Sequence, residues 1–63
     1  MLQELRLKNN LTQTDVAYEL HVDRSLVAKW EAHKALPSIG LLIPLAHVYR
    51  VSVERLLEIL LEV

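Results

Sequence analysis

The chain has 63 residues, 52% of them hydrophobic and 24% charged, with no cysteine, one glycine and two prolines. A chain this short buries only about 60% of the surface it exposes when unfolded, too little interior for most catalytic pockets. Without cysteine, neither disulfides nor a thiolate zinc site can hold it together, and high apolar content at a net charge of −1 excludes a disordered chain.

Leu2, Leu5 and Arg6 begin a first helix that fades at Asn9-Asn10, two residues suited to a turn. Thr12 followed by Asp15 reads as a capping box, after which Val16, Ala17 and Leu20 give a second helix one apolar face. His21-Val22-Asp23 interrupts the pattern. Asp23 is then a good N-cap for a third helix carrying Leu26, Val27 and Trp30 to about Glu31 or Ala32.

Pro37-Ser38 restarts the chain, with Ser38 able to cap a fourth helix bearing Leu41, Leu42, Leu45, Ala46 and Tyr49. Pro44 sits inside that segment, where it removes a hydrogen bond and presses on the carbonyl of Gly40. Either a kink forms there or the regular helix begins close to Pro44. Ser52 starts a fifth helix with Val53, Leu56, Leu57 and Leu60 on its inner side. No alternating run or hairpin dipeptide signals a strand. The expected fold is all-α, with five short helices in a single domain over residues 1–63.

The stretch from about 12 to 31 pairs two helices of about eight residues across a short turn, the spacing of a helix-turn-helix. Ala17 allows close helix approach, and Val22 and Val27 fill the angle between the helices. Left facing outward from the second of them are Arg24, Ser25, Ala28 and Lys29, a face of two cations and a hydroxyl without a large apolar side chain. Such a helix fits the DNA major groove.

These residues resemble the phage-repressor and Cro-like helix-turn-helix domains, often called Xre-type. The likeness runs from about Leu2 to Leu57. It rests on Leu5-Arg6, Leu11-Thr12-Gln13, Val16-Ala17, Leu20, Val22, Val27, Trp30-Glu31, Pro37, Leu45-Ala46, Val51-Ser52 and Leu56-Leu57. It implies a compact five-helix lambda-repressor-like domain that binds double-stranded DNA as a transcriptional regulator, a dimeric repressor by expectation. Gln13 then meets the DNA backbone, Arg24, Ser25 and Lys29 read bases, and His33 and Lys34 contact phosphates. Arg6 pairs internally with Glu31. Trp30 is read as a half-buried core residue.

Three positions depart from the family pattern. His21 stands where glycine is usual, so a positive φ is expected of a residue that only tolerates it. Ala32-His33 replaces the common Asn-Gly, and Asp23 puts negative charge where Ser or Thr is common, which weakens DNA affinity.

In the last helix Ile59, Leu61 and Val63 are read as apolar residues off the core face and are assigned to a homodimer interface, binding two half-sites of a palindromic operator. The alternative reading is a helix-turn-helix-shaped protein-interaction module, or an antitoxin-like regulator, with weak or no DNA binding. An enzyme is not expected, because no phosphate loop, metal-ligand cluster or matched nucleophile and base occurs; no cofactor or metal is expected either. The segment Leu41–Ala46 is far short of the ~20 residues of a membrane helix. Met1–Arg6 has no signal-peptide pattern, so a cytoplasmic, nucleoid-associated protein of prokaryotic or phage type is the expectation.

Overall fold

The computed structural model describes residues 1–61. Five α-helices follow one another: α1 (Leu2–Lys8), α2 (Gln13–Leu20), α3 (Arg24–Glu31), α4 (Leu42–Tyr49) and α5 (Val53–Leu61), with a 3-10 turn at Ile39–Leu41. No strand occurs among the described residues, and the all-α fold with α2 and α3 as the helix-turn-helix is as the sequence implies.

The core joins every helix. Leu2 from α1, Val16, Ala17 and Leu20 from α2, and Val27 and Trp30 from α3 meet Leu45, Ala46 and Tyr49 of α4 and Leu56, Ile59 and Leu60 of α5. Trp30 is only 1% exposed, so its ring lies wholly in the core rather than half-buried, and no face of it is open for base stacking. Ile59 also corrects an expectation. It is 4% exposed, because the inner stripe of α5 runs Leu56, Ile59, Leu60 at helical spacing, which leaves Leu57 half-buried at the edge. Ile59 is therefore core and not part of an interface. Val63 lies outside the described residues.

Helix ends explain how so short a chain turns so often. At the start of α2, Thr12 Oγ1 accepts from the Asp15 N–H at 3.0 Å while Asp15 Oδ2 accepts from the Thr12 N–H at 2.8 Å, the reciprocal capping box. Ser52 Oγ accepts from the Arg55 N–H at 3.0 Å and caps α5. Asp23 occupies the N-cap position of α3, but its carboxylate makes no capping bond. Ser38 caps nothing with its side chain and precedes the 3-10 turn, not α4. Regular helix begins at Leu42, so Pro44 falls in the first turn, where its missing N–H had no intrahelical partner to lose. Gly40 has no positive φ and open space around it, so it relieves no clash.

Four helices stop in the same way. Asn10, His21, His33 and Arg50 each adopt a left-handed conformation with φ near 58°, at 59°, 57°, 58° and 57°. After each, the next N–H reaches back to close the helix: Leu11 to the Arg6 carbonyl, Val22 to Ala17, Lys34 to Lys29 and Val51 to Ala46, all at 2.9–3.1 Å. This is the Schellman termination, with residues other than glycine in the left-handed position. Leu11, Val22 and Val51, the residues after the turn, pack on the core, which is the apolar contact that motif brings with it.

Candidate nucleic-acid interface

The capping box holds the entry to α2, and both partners leave Asp15 more acidic than its ordinary value of 3.8: the Thr12 N–H first, then the Thr12 hydroxyl. The left-handed His21 then turns the chain through Val22, and α3 begins at Arg24 with Asp23 extended before it. A short turn fixed at both ends, with Val22 packed inside it and Val27 fully buried behind it, sets α3 at a defined angle on α2.

On the outer side of α3, Arg24, Ser25 and Lys29 are exposed and Ala28 is half-buried between them. His33 and Lys34 are exposed just past the helix, held there by the Lys34 N–H bond to the Lys29 carbonyl at 2.9 Å. The expected reading residues Arg24, Ser25 and Lys29 and the expected phosphate residues His33 and Lys34 are all exposed. The Ser25 hydroxyl is not idle. It donates to Asp23 Oδ2 at 2.6 Å, which commits its proton to the carboxylate and leaves the oxygen only acceptor capacity.

Behind this face lies a charged core pair. Arg6 Nε donates to Glu31 Oε2 at 2.7 Å and Arg6 Nη2 to Glu31 Oε1 at 3.3 Å, a two-point bridge between side chains 8% and 6% exposed. Arg6 Nη1 donates to the Leu11 carbonyl at 2.9 Å, so the guanidinium also ties the turn after α1 to the end of α3. Arg6 is accordingly turned away from the surface. Near the pair, burial first and the Glu31 charge second push the Tyr49 hydroxyl well above its ordinary value of 10.0, with Arg6 opposing. Among the described residues, Tyr49 Oη and Trp30 Nε1 are the buried side-chain polar atoms without a hydrogen-bond partner.

Gln13, expected at the DNA backbone, makes two hydrogen bonds within the protein. Its Nε2 donates to Glu31 Oε1 at 3.1 Å, and its Oε1 accepts from Arg24 Nη1 at 3.1 Å. Sequence reasoning missed this double link. Gln13 and Arg24 are 11 residues apart on different helices, and only the crossing of α2 over α3 brings them together.

A second surface is apolar. Leu61, 53% exposed, is joined by Leu36 at 58% and Ile39 at 88%, and with Pro37, Leu42 and Leu57 they border a groove of about 220 Å³ floored by Leu60. Leu36 and Ile39 escaped the sequence reading because they lie where no helical periodicity marks an outer face. No helix among the described residues is long and apolar enough to cross a membrane.

A fixed turn and a second helix that buries Val27 and Trp30 while its opposite side carries Arg24 and Lys29 define a helix-turn-helix domain of the kind found in DNA-binding transcription regulators. The family model described as Helix-turn-helix (HTH_3) matches residues 2–56, and the chain belongs to that family. It is 38% identical over 57 residues to the HTH-type transcriptional activator BcrR of Enterococcus faecalis. That match covers 90% of this chain and 28% of the relative, so the chain spans little more than a quarter of that protein. No solved structure gives a significant match.

Proposed function

We propose that the chain binds double-stranded DNA sequence-specifically, with α3 in the major groove, and regulates transcription as a homodimer. The outward face of α3 carries this reading: Arg24, Ser25 and Lys29 stand together at the groove side, with His33 and Lys34 beyond them for phosphates. Arg24 suits the O6 and N7 acceptors of guanine, and Lys29 suits either a base acceptor or a phosphate. Ser25 serves bases better than phosphates here. With its proton committed to Asp23 it offers lone pairs, which suit an amino group of adenine or cytosine and repel a phosphate oxygen.

The Gln13 side chain is engaged on both sides, so the backbone contact of that position falls to the first-turn N–H groups of α2, which lack intrahelical partners. Overall charge is not the driver. The chain is at −1, and Asp23 stands beside the cations, so non-specific affinity is low and the base contacts matter more.

Dimerisation is supported by the apolar groove and its exposed rim of Leu36, Ile39 and Leu61. Each copy measures 26 × 22 × 20 Å. Two side by side are long enough to reach successive major grooves about 34 Å apart, and a palindromic operator follows from their two-fold axis. The regulator then works at the nucleoid, in the cytoplasm, and represses by occupying its site. Activation is the second reading, favoured by the activator name of the relative.

Selection of binding sites from random duplex DNA tests the proposal. Enrichment of a two-fold symmetric sequence is the expected result. Recovery of no sequence preference means that the domain is a protein-interaction module in helix-turn-helix form. A reporter with the selected site placed across a promoter, and then upstream of it, separates repression from activation.

A further inference from the structure

We propose that Asp23 is itself a base-reading residue, whose carboxylate, held by the Ser25 hydroxyl, accepts from the N4 amino group of a cytosine in the major groove. The inference rests on the DNA-binding reading above and gives the acidic residue of that face a selective part in it.

Three observations carry it. Asp23 is exposed at the N-cap of α3, the end of such a helix that lies nearest the base edges. An aspartate at an N-cap ordinarily spends its carboxylate on a first-turn N–H, yet this one makes no capping bond. Its Oδ2 instead accepts from Ser25 Oγ at 2.6 Å, and no cation among the described residues pairs with it. The neighbouring Arg24 directs its bond to Gln13.

A carboxylate carries acceptors only, and Ser25 has committed its one hydrogen, so the pair offers acceptors and no donor. Among major-groove edges that pattern is selective. Thymine O4 and guanine O6 and N7 are acceptors and repel it. Adenine sets its amino group beside the N7 acceptor, so half of its edge opposes the pair. Cytosine presents its amino group with no acceptor of its own in the groove. In any other register the negative charge meets phosphates and keto oxygens, so it costs affinity there and adds to the discrimination.

The same chemistry makes recognition sensitive to a modification of the DNA. N4-methylcytosine keeps its pairing with guanine through the one N4 hydrogen left to it, and its groove side then carries a methyl group where the donor was. Asp23 loses its hydrogen bond while the base sequence stays the same.

The test runs selection from a random duplex pool with wild type, Asp23→Asn and Asp23→Ala side by side. Wild type is expected to enrich a cytosine at one position of its motif. That position should become degenerate in Asp23→Ala while the rest of the motif persists. On the selected duplex, N4-methylation of that cytosine is expected to lower wild-type affinity about tenfold or more and to leave Asp23→Ala unaffected. Asparagine is as good an N-cap as aspartate, so Asp23→Asn is expected to melt as wild type does. It should nevertheless tolerate thymine at that position, because its amide can present a donor or an acceptor.

The proposal is overturned if Asp23→Ala enriches the wild-type motif and binds every duplex more tightly by one common factor, as a charge that only repels phosphates would. Equal sensitivity of wild type and Asp23→Ala to N4-methylation overturns it as well. Failure of wild type to enrich any duplex instead removes the DNA-binding reading itself, so the two failures are told apart.

Discussion

Tyr49 has a hydroxyl that is buried in the core and makes no hydrogen bond. Removing such a group leaves no partner unsatisfied, so Tyr49→Phe is expected to change stability at neutral pH by less than about 1 kcal/mol. The same burial raises its ionisation above 10.0 in the folded chain. In the unfolded chain it ionises near that ordinary value, so above about pH 10 the unfolded state releases a proton that the folded state keeps. Stability from this group is complete below that pH and lost as pH rises beyond it. Urea unfolding of wild type beside Tyr49→Phe checks this: the two should run parallel to about pH 10 and diverge above it, with wild type falling faster. Parallel curves throughout would mean that Tyr49 reaches solvent.

At the scale of elements, the four left-handed helix ends stand out, since the chain's one glycine is used at none of them. A side chain in that conformation costs about 1–2 kcal/mol, while glycine returns part of the gain through its greater freedom when unfolded. Arg50→Gly is therefore expected to raise stability by about 0.5–1 kcal/mol, read as a later thermal or urea midpoint. An earlier midpoint would show that the Arg50 side chain contributes more than its backbone strain removes.

These helix ends also show what the sequence makes legible. Thr12 with Asp15 and Ser52 before Val53 announce their caps, because the chemistry lies within one turn. His21 is readable as left-handed from its place in the motif. Arg50 is not, since nothing local in Tyr49-Arg50-Val51 favours a positive φ; the packing of Val51 on the core imposes it. The start of α4 admits two readings from sequence for a similar reason, because a proline is tolerated in a first turn and disruptive later. Of the reading face, Arg24, Ser25 and Lys29 follow from helical periodicity alone. The Gln13 link does not, as it depends on how two helices cross.

For the whole molecule, the outer apolar surface is the part that the sequence misplaced. In α5 six of nine positions are apolar, and Leu56, Leu57, Ile59, Leu60 and Leu61 lie so close together that spacing alone leaves the inner stripe ambiguous between Leu57 and Ile59. Ile59 is taken into the same core as Leu2, Leu45, Tyr49 and Leu56. The exposed rim is Leu36, Ile39 and Leu61, and a charge there should abolish self-association without disturbing the core. Sedimentation of wild type beside Ile39→Lys and Leu61→Lys is expected to show a dimer and two folded monomers. An unaltered mass in both variants would place the interface elsewhere.

The most direct test of the central claim is the salt dependence of affinity for the selected duplex. Wild type is expected to give a linear fall of log K with log salt, about −0.9 for each phosphate contact. Lys34→Ala should reduce that slope by about one across all sequences, while Arg24→Ala should cost about 1–3 kcal/mol of discrimination at one base pair. A slope near zero, with Lys34→Ala and Arg24→Ala binding as wild type does, would contradict the placement of α3 in the major groove.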